Sequence, residues 1–282
     1  MFKIREINRI IDPQYVMEGA GVLLRRSISP HRSNLFDPFL LFDHFAFNDP
    51  TQGNNPGFPM HPHRGIETVT YILEGSVKHR DSLENSGVIG PGDVQWMTSG
   101  GGILHEEMPK TSLSGKINGF QLWVNLPSSL KMSQPRYQEV KSTTIPEIIQ
   151  DGMKIRVVAG EINEVIGPVT QIAAKPFYAD ITLEPGVSFS KVIPFKHSLL
   201  AYVFEGKGIF GQGTQVDAIK MLQFTEGDIF QVQASHDSNL RFMLIAGTPF
   251  GEPIVPYGPF VMNTVEEIQQ AVYDLRNGTF IK

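Results

Sequence analysis

The sequence predicts an all-β protein, two strand-rich domains in tandem closed by one amphipathic helix. Three observations carry this. Short apolar runs recur along the 282 residues, each bounded by Gly, Asn, Asp or Pro, the punctuation of sandwiches and barrels. Gly (27) and Pro (20) are abundant while charged residues make up only 19%, which suits strands joined by turns. The two halves also share short motifs in the same order, the mark of a duplication.

Val22–Arg26, Thr68–Leu73, Gly87–Ile89, Val94–Met97 and Phe120–Val124 read as strands of the first half, with turns at Asn54-Asn55-Pro56-Gly57 and Pro91-Gly92-Asp93. Lys141–Gly152 reads as a linker or a short helical turn, which puts one domain at 1–140 and the other at 141–282. Lys154–Ala159, Phe177–Leu183, Leu199–Phe204, Met221–Phe224, Ile229–Val232 and Arg241–Ala246 read as the second set of strands. Tyr71-Ile72-Leu73-Glu74-Gly75 matches Tyr202-Val203-Phe204-Glu205-Gly206, and Gly92-Asp93-Val94 matches Gly227-Asp228-Ile229. At the C-terminus, Thr264 and Glu267 have the spacing of a capping box. Val265, Ile268, Ala271, Val272 and Leu275 then recur at helical spacing, and Asn277-Gly278 supplies a stop.

Composition excludes several classes. Lys and Arg number 24 against 29 Asp and Glu, a net charge of −5. A general nucleic-acid binder needs clustered basic residues and is not expected. With no Cys, disulfides, thiolate zinc sites, iron–sulfur clusters and cysteine nucleophiles are ruled out. No stretch approaches the ~20 apolar residues of a membrane span. The opening MFKIREINRI lacks the uninterrupted apolar core of a secretory signal. A cytoplasmic protein without membrane contact is the expectation.

The chemistry concentrates in His61-Pro62-His63-Arg64-Gly65-Ile66-Glu67 and His105-Glu106-Glu107. Residues two apart on a strand share a face, so His61 and His63 can converge on one ion, and Glu67, a further even step along, can join them. His105 and Glu107 share a face by the same rule. Three imidazoles and one carboxylate suit Fe(II), Mn, Co, Ni, Cu or Zn, and the lack of thiolates disfavours a closed structural zinc site. Spacing alone does not choose between Glu67 and Glu107. His31, His44, His79, His197 and His236 stand without such partners and read as structural or solvated. Trp96, Met97, Phe58, Phe120 and Trp123 are candidates for an apolar pocket wall or for the interior.

HPHRGIETVTYILEG (61–75), PGDVQWMTSGGGILHEE (91–107), QLWVNLP (121–127) and the upstream PFLLFDHF (38–45) closely resemble the pirins, of the cupin superfamily. The likeness is dense over residues 20–140 and colinear through GEINEVIGPV (160–169) and the final helix. It implies two jelly-roll (cupin) β-barrels in tandem with a C-terminal helix packed between or over them. It further implies one divalent metal per chain, Fe(II) foremost, held by His61, His63, His105 and Glu107, which leaves Glu67 in a supporting place. Val192, Pro194 and Leu240 fall opposite the three histidines when the second half is aligned on the first, so that half is expected to hold no metal.

The same resemblance implies a quercetin 2,3-dioxygenase: a flavonol such as quercetin and O2 as partners, carbon monoxide released, and Glu107 as the catalytic proton acceptor. The alternative is an iron-dependent regulatory module that binds a protein partner without turnover. Such a module would keep the ligands but need no roomy pocket.

Overall fold

The computed structural model describes residues 2–47 and 57–281; the turn expected around Asn54-Asn55-Pro56 lies outside them. The chain divides into two compact units, Gln14–Ser142 with Phe250–Lys282, and Met1–Pro13 with Thr143–Pro249. This differs from contiguous domains 1–140 and 141–282, because each terminal segment joins the unit built by the other half.

In the first unit, seven antiparallel strands form a sheet in the order Arg136–Val140, Val94–Thr98, Ile66–Glu74, Ile117–Asn125, Phe39–Phe47, Val22–Ile28 and Gln14–Glu18. Four more form a second sheet, in the order Phe58–His63, Ile103–Lys110, Ser76–Asp81 and Ser86–Ile89. The second unit repeats the plan: Ile7–Ile11, Lys220–Phe224, Ser198–Phe210, Leu240–Gly247, Phe177–Leu183, Met153–Ala159 and Glu147–Gln150. Its long strand Ser198–Phe210 runs from one layer into the other, so both layers count as one ten-stranded sheet. The units are two jelly rolls in tandem, and Gly75 and Gly206 turn with φ +80° and +72° after the matching central strands.

One sequence alignment needs correction. Gly92-Asp93 leads into the strand beside the central one, whereas Gly227-Asp228 leads into Ile229–Ala234, which pairs with Ser188–Val192 as Ile103–Lys110 pairs with Phe58–His63. The strand equivalent to that of His105 is therefore Ile229–Ala234, and Leu240 sits on the next one. Its buried side chains are Phe230, Val232 and Ala234, packed with Phe189, Phe210, Phe224 and Phe242 in an apolar core. Rings there lie 5.3–6.3 Å apart. At the edge of this unit the Arg5 guanidinium donates to the carbonyls of Gly227, His197, Thr225, Pro194 and Phe195.

The capping box forms as expected, with Glu267 N donating to Thr264 Oγ1 and Thr264 N to Glu267 Oε2, and it opens the helix Val265–Arg276. This helix belongs to the unit of Gln14–Ser142, where Ile268 and Ala271 pack with Phe260, Met262 and Phe280. The expected apolar face is only partly the buried one. Val265 and Leu275 are exposed while Asp274 is buried, because Asp274 pairs with Arg64. Among the described residues no helix is long and apolar enough to cross a membrane.

Candidate metal centre

The strand Ile103–Lys110 alternates buried and half-buried residues, which turns Ile103, His105 and Glu107 inward. It pairs antiparallel with Phe58–His63 so that His105 stands directly opposite His61 and Ile103 opposite His63, with a register shift between His105 and Glu107. Cross-strand neighbours on one face approach closely. The donor atoms of His61, His63 and His105 all lie within 4.8 Å of one another, and the ring centroids are 4.4–5.0 Å apart.

Each ring is oriented by what its other nitrogen meets. His61 Nδ1 lies 2.9 Å from the Pro59 carbonyl and His63 Nδ1 lies 3.3 Å from the Pro259 carbonyl. A carbonyl only accepts, so both Nδ1 atoms carry the proton and both Nε2 atoms present lone pairs. Those two lone pairs face each other across 3.1 Å. Both nitrogens of His105 are buried without a hydrogen-bond partner among the described residues. Burial first, and then the repulsion that a proton on one imidazole would meet from a proton on the next, pushes His63 down to about 3 and His105 well below the ordinary imidazole value; burial also lowers His61. Three neutral imidazoles with converging lone pairs and an orphaned buried nitrogen fit a divalent cation, which relieves the repulsion and satisfies His105.

Glu107 is buried beside this group, bordering the same cavity, but its carboxylate is not one of the three converging donors. Thr70 Oγ1 lies 3.0 Å from Glu107 Oε1 and 2.7 Å from Gln121 Oε1. Burial raises the Glu107 carboxyl to about 7, against the Thr70 hydrogen bond that lowers it. His61, His63 and Glu107 border a cavity of about 660 Å³, together with Phe58 and Trp123. The Trp123 ring meets His63 edge-on at 5.1 Å.

Glu67 does not join the histidines. The even-step rule fails at Arg64-Gly65, where the chain leaves one sheet and enters the other. Gly65 has φ +79°, and a Cβ there would collide with the Val261 carbonyl oxygen. Glu67 stands opposite Thr98 on the sheet face away from Thr70 and accepts from Trp96 Nε1 at 3.1 Å and Thr98 Oγ1 at 2.8 Å. Of the five candidate wall residues, Phe58 and Trp123 border the cavity; Trp96, Met97 and Phe120 are buried elsewhere. His44, His79 and His197 are held by Asn118, Glu139 and Thr248, and His236 is exposed. His31 borders the cavity, as do Thr70, Gln121, Asp43 and Arg26, none of which the sequence singled out. These four polar residues carry no local motif, so only the strand order could have found them.

A tandem jelly roll with an inward histidine trio in one unit defines a bicupin with a candidate metal site in its first half. The chain belongs to the pirin family: residues 21–124 match the Pirin family and residues 178–281 the Pirin C-terminal cupin domain. It is 42% identical over 279 residues to a pirin-like protein of Caulobacter vibrioides, covering 98% of this chain and 99% of that one. It is 45% identical over 266 residues to human pirin, with coverage of 92% and 88%. Among solved structures, a quercetin 2,3-dioxygenase from Acinetobacter baumannii superposes with a TM-score of 0.91 at 34% identity, covering 98% of both chains.

Proposed function

We propose that this pirin is a cytoplasmic, metal-dependent dioxygenase that opens the ring of a flavonol such as quercetin with O2 and releases carbon monoxide. The observation that carries this reading is that His61 and His63 of the trio, with Glu107, border a cavity of about 660 Å³ walled by Phe58 and Trp123. A regulator that binds only a protein partner has no use for such space, and a flat aromatic ligand does. Likeness to the Acinetobacter quercetin 2,3-dioxygenase supports the same reading.

His61, His63 and His105 hold one divalent ion, with Glu107 as the fourth ligand; iron(II) is the first candidate and Mn, Co, Ni, Cu and Zn are the others. When bound, such an ion acts as a Lewis acid that lowers the pKa of the flavonol 3-hydroxyl and orients the reactants. The rest falls to side chains. The Glu107 carboxylate, buried beside the histidines and on the same cavity, is the acidic group placed to take the 3-hydroxyl proton. Thr70 holds that carboxyl in place through its 3.0 Å contact. Phe58 and Trp123 keep water from the reacting ring and present flat faces to it.

The test is anaerobic loading with each candidate metal, followed by quercetin-dependent O2 uptake and carbon monoxide release. Turnover with one ion or more is the expected result. Fully loaded protein that consumes no O2 with any flavonol overturns the dioxygenase and favours the regulatory module.

A further inference from the structure

A row of four polar side chains crosses the wide sheet along the cavity. Thr70, Gln121, Asp43 and Arg26 stand directly opposite one another on four adjacent strands. All four therefore project from one face, and all four border the cavity. Thr70 Oγ1 and Gln121 Oε1 are 2.7 Å apart. Arg26 grips Asp43 with a planar fork, Nε to Oδ1 at 2.8 Å and Nη2 to Oδ2 at 2.7 Å, while Nη1 donates to Glu18 Oε1 at 2.7 Å. Glu107 touches the Thr70 end of the row from the facing sheet. At roughly 4.8 Å between strands, three steps make a row of about 14 Å.

The far end of this row is unusual in its surroundings. Leu24, Leu41 and Phe45 border the same part of the fold on neighbouring inward positions of the Arg26 and Asp43 strands. A mostly buried ion pair adds little to stability over apolar residues of the same volume, so fold stability alone gives no reason for this one. Two of the five guanidinium N–H groups of Arg26 keep no acceptor among the described residues. The Asp43 carboxylate remains an acceptor for further donors.

We propose that Arg26 and Asp43 are specificity residues that bind ring hydroxyls at one end of an elongated flat polyphenol, whose other end places the reacting hydroxyl beside Glu107 and the histidines. A phenolic hydroxyl both donates and accepts, so it can donate a hydrogen bond to Asp43 and accept one from the Arg26 N–H groups that Asp43 and Glu18 do not take. A three-ring flavonol has the length of the row, and Gln121 spans its middle. The inference rests on the flavonol reading of this cavity and adds which end of the ligand the protein selects.

The experiment compares quercetin with 3-hydroxyflavone, which lacks every hydroxyl but the reacting one. Binding to nickel(II)-loaded protein is followed without O2 by quenching of tryptophan fluorescence. Wild type is expected to bind quercetin about tenfold or more tighter, the strength of a hydrogen bond to a charged group. In the R26M/D43L double variant, which removes both charges together, the ratio falls to about one. Should that variant fail to fold, Arg26→Lys, which lacks the fork, is expected to cut the ratio severalfold. A wild-type ratio near one, a ratio unchanged in a folded variant, or no binding of either flavonol overturns the proposal. Aerobic turnover is scored separately. Selective binding without O2 consumption removes the dioxygenase and leaves the specificity pair, whereas turnover without selectivity does the reverse.

Discussion

Arg64 and Asp274, 210 positions apart in the chain, meet at 2.7 Å through Nη1 and Oδ2, both side chains buried. The same guanidinium donates to the carbonyls of Gly101 at 2.7 Å and Phe280 at 3.3 Å, and it lies 4.3 Å over the Phe280 ring. Arg64 directly follows His63. The helix that ends the chain thus anchors the corner at which the metal-site strand turns into the neighbouring sheet.

Asp274→Ala leaves a buried guanidinium without its counter-charge, so it should lower stability by about 3–5 kcal/mol. The double variant R64M/D274L removes both charges and should recover most of that loss. Urea unfolding midpoints decide this. Equal destabilisation in single and double variants shows that packing, and not the charge pair, holds the corner.

Metal content should approach one divalent ion per chain. His105→Ala should reduce it sharply, and joint replacement of His61 and His63 should abolish it, because one imidazole and one carboxylate do not hold the ion against water and dialysis. Elemental analysis after dialysis reads the outcome, and an unchanged metal content in the double variant removes the site assignment.

Glu107→Gln should reduce turnover per bound metal by about 10²-fold or more, the usual loss when a positioned proton acceptor is removed. Glu67→Gln should leave turnover per metal within severalfold, since Glu67 faces the other side of its sheet and serves Trp96 and Thr98. A larger loss for Glu67→Gln than for Glu107→Gln reverses the two roles.

His44 gives the fold an acid-sensitive element remote from the metal. Burial, followed by the charge of Arg25, lowers this imidazole to about 4, against the Asn118 hydrogen bond. The unfolded chain binds its proton near pH 6.5 and the folded one near 4, so stability is fully present above 6.5 and is lost as pH falls through that window. The full effect is on the order of 3 kcal/mol. His44→Phe should flatten stability between pH 6.5 and 4 relative to wild type; parallel pH profiles by chemical unfolding refute this.

How much of this was legible beforehand follows from distance along the chain. His61, His63 and His105 could be read because strand alternation is local and Pro62 and Glu106 do not interrupt it. Glu67 stayed open as a partner of the histidines because alternation alone gives no sign that Gly65, with its positive φ, starts a new sheet. Leu240 was set opposite His105 because two Gly-Asp pairs look alike although they open strands in different places. Asp274 sits in a helix whose apolar spacing predicted a different buried face, and only the position of Arg64 explains its burial. The row from Thr70 to Arg26 has no signature in any window, since its members are brought together by strand order alone.

The exchange of terminal segments sets an order of events during synthesis. The Pro259 carbonyl that orients His63, the Val261 carbonyl that Lys131 ties to Gly65, and Asp274 all come from the last stretch of the chain. A nascent polypeptide stopped near residue 249 holds every histidine of the trio but none of these supports, so tight metal capture has to wait until the stretch from Pro259 to Asp274 has been made. Conversely, Ile7–Ile11 has its strand partner only once Met221–Phe224, more than 200 residues further on, has emerged. Until then it is an unpaired edge, open to other chains. Ribosome-bound chains of increasing length should therefore acquire metal in a single step once Asp274 has emerged, and their aggregation before Met221–Phe224 emerges should depend on Ile7–Ile11.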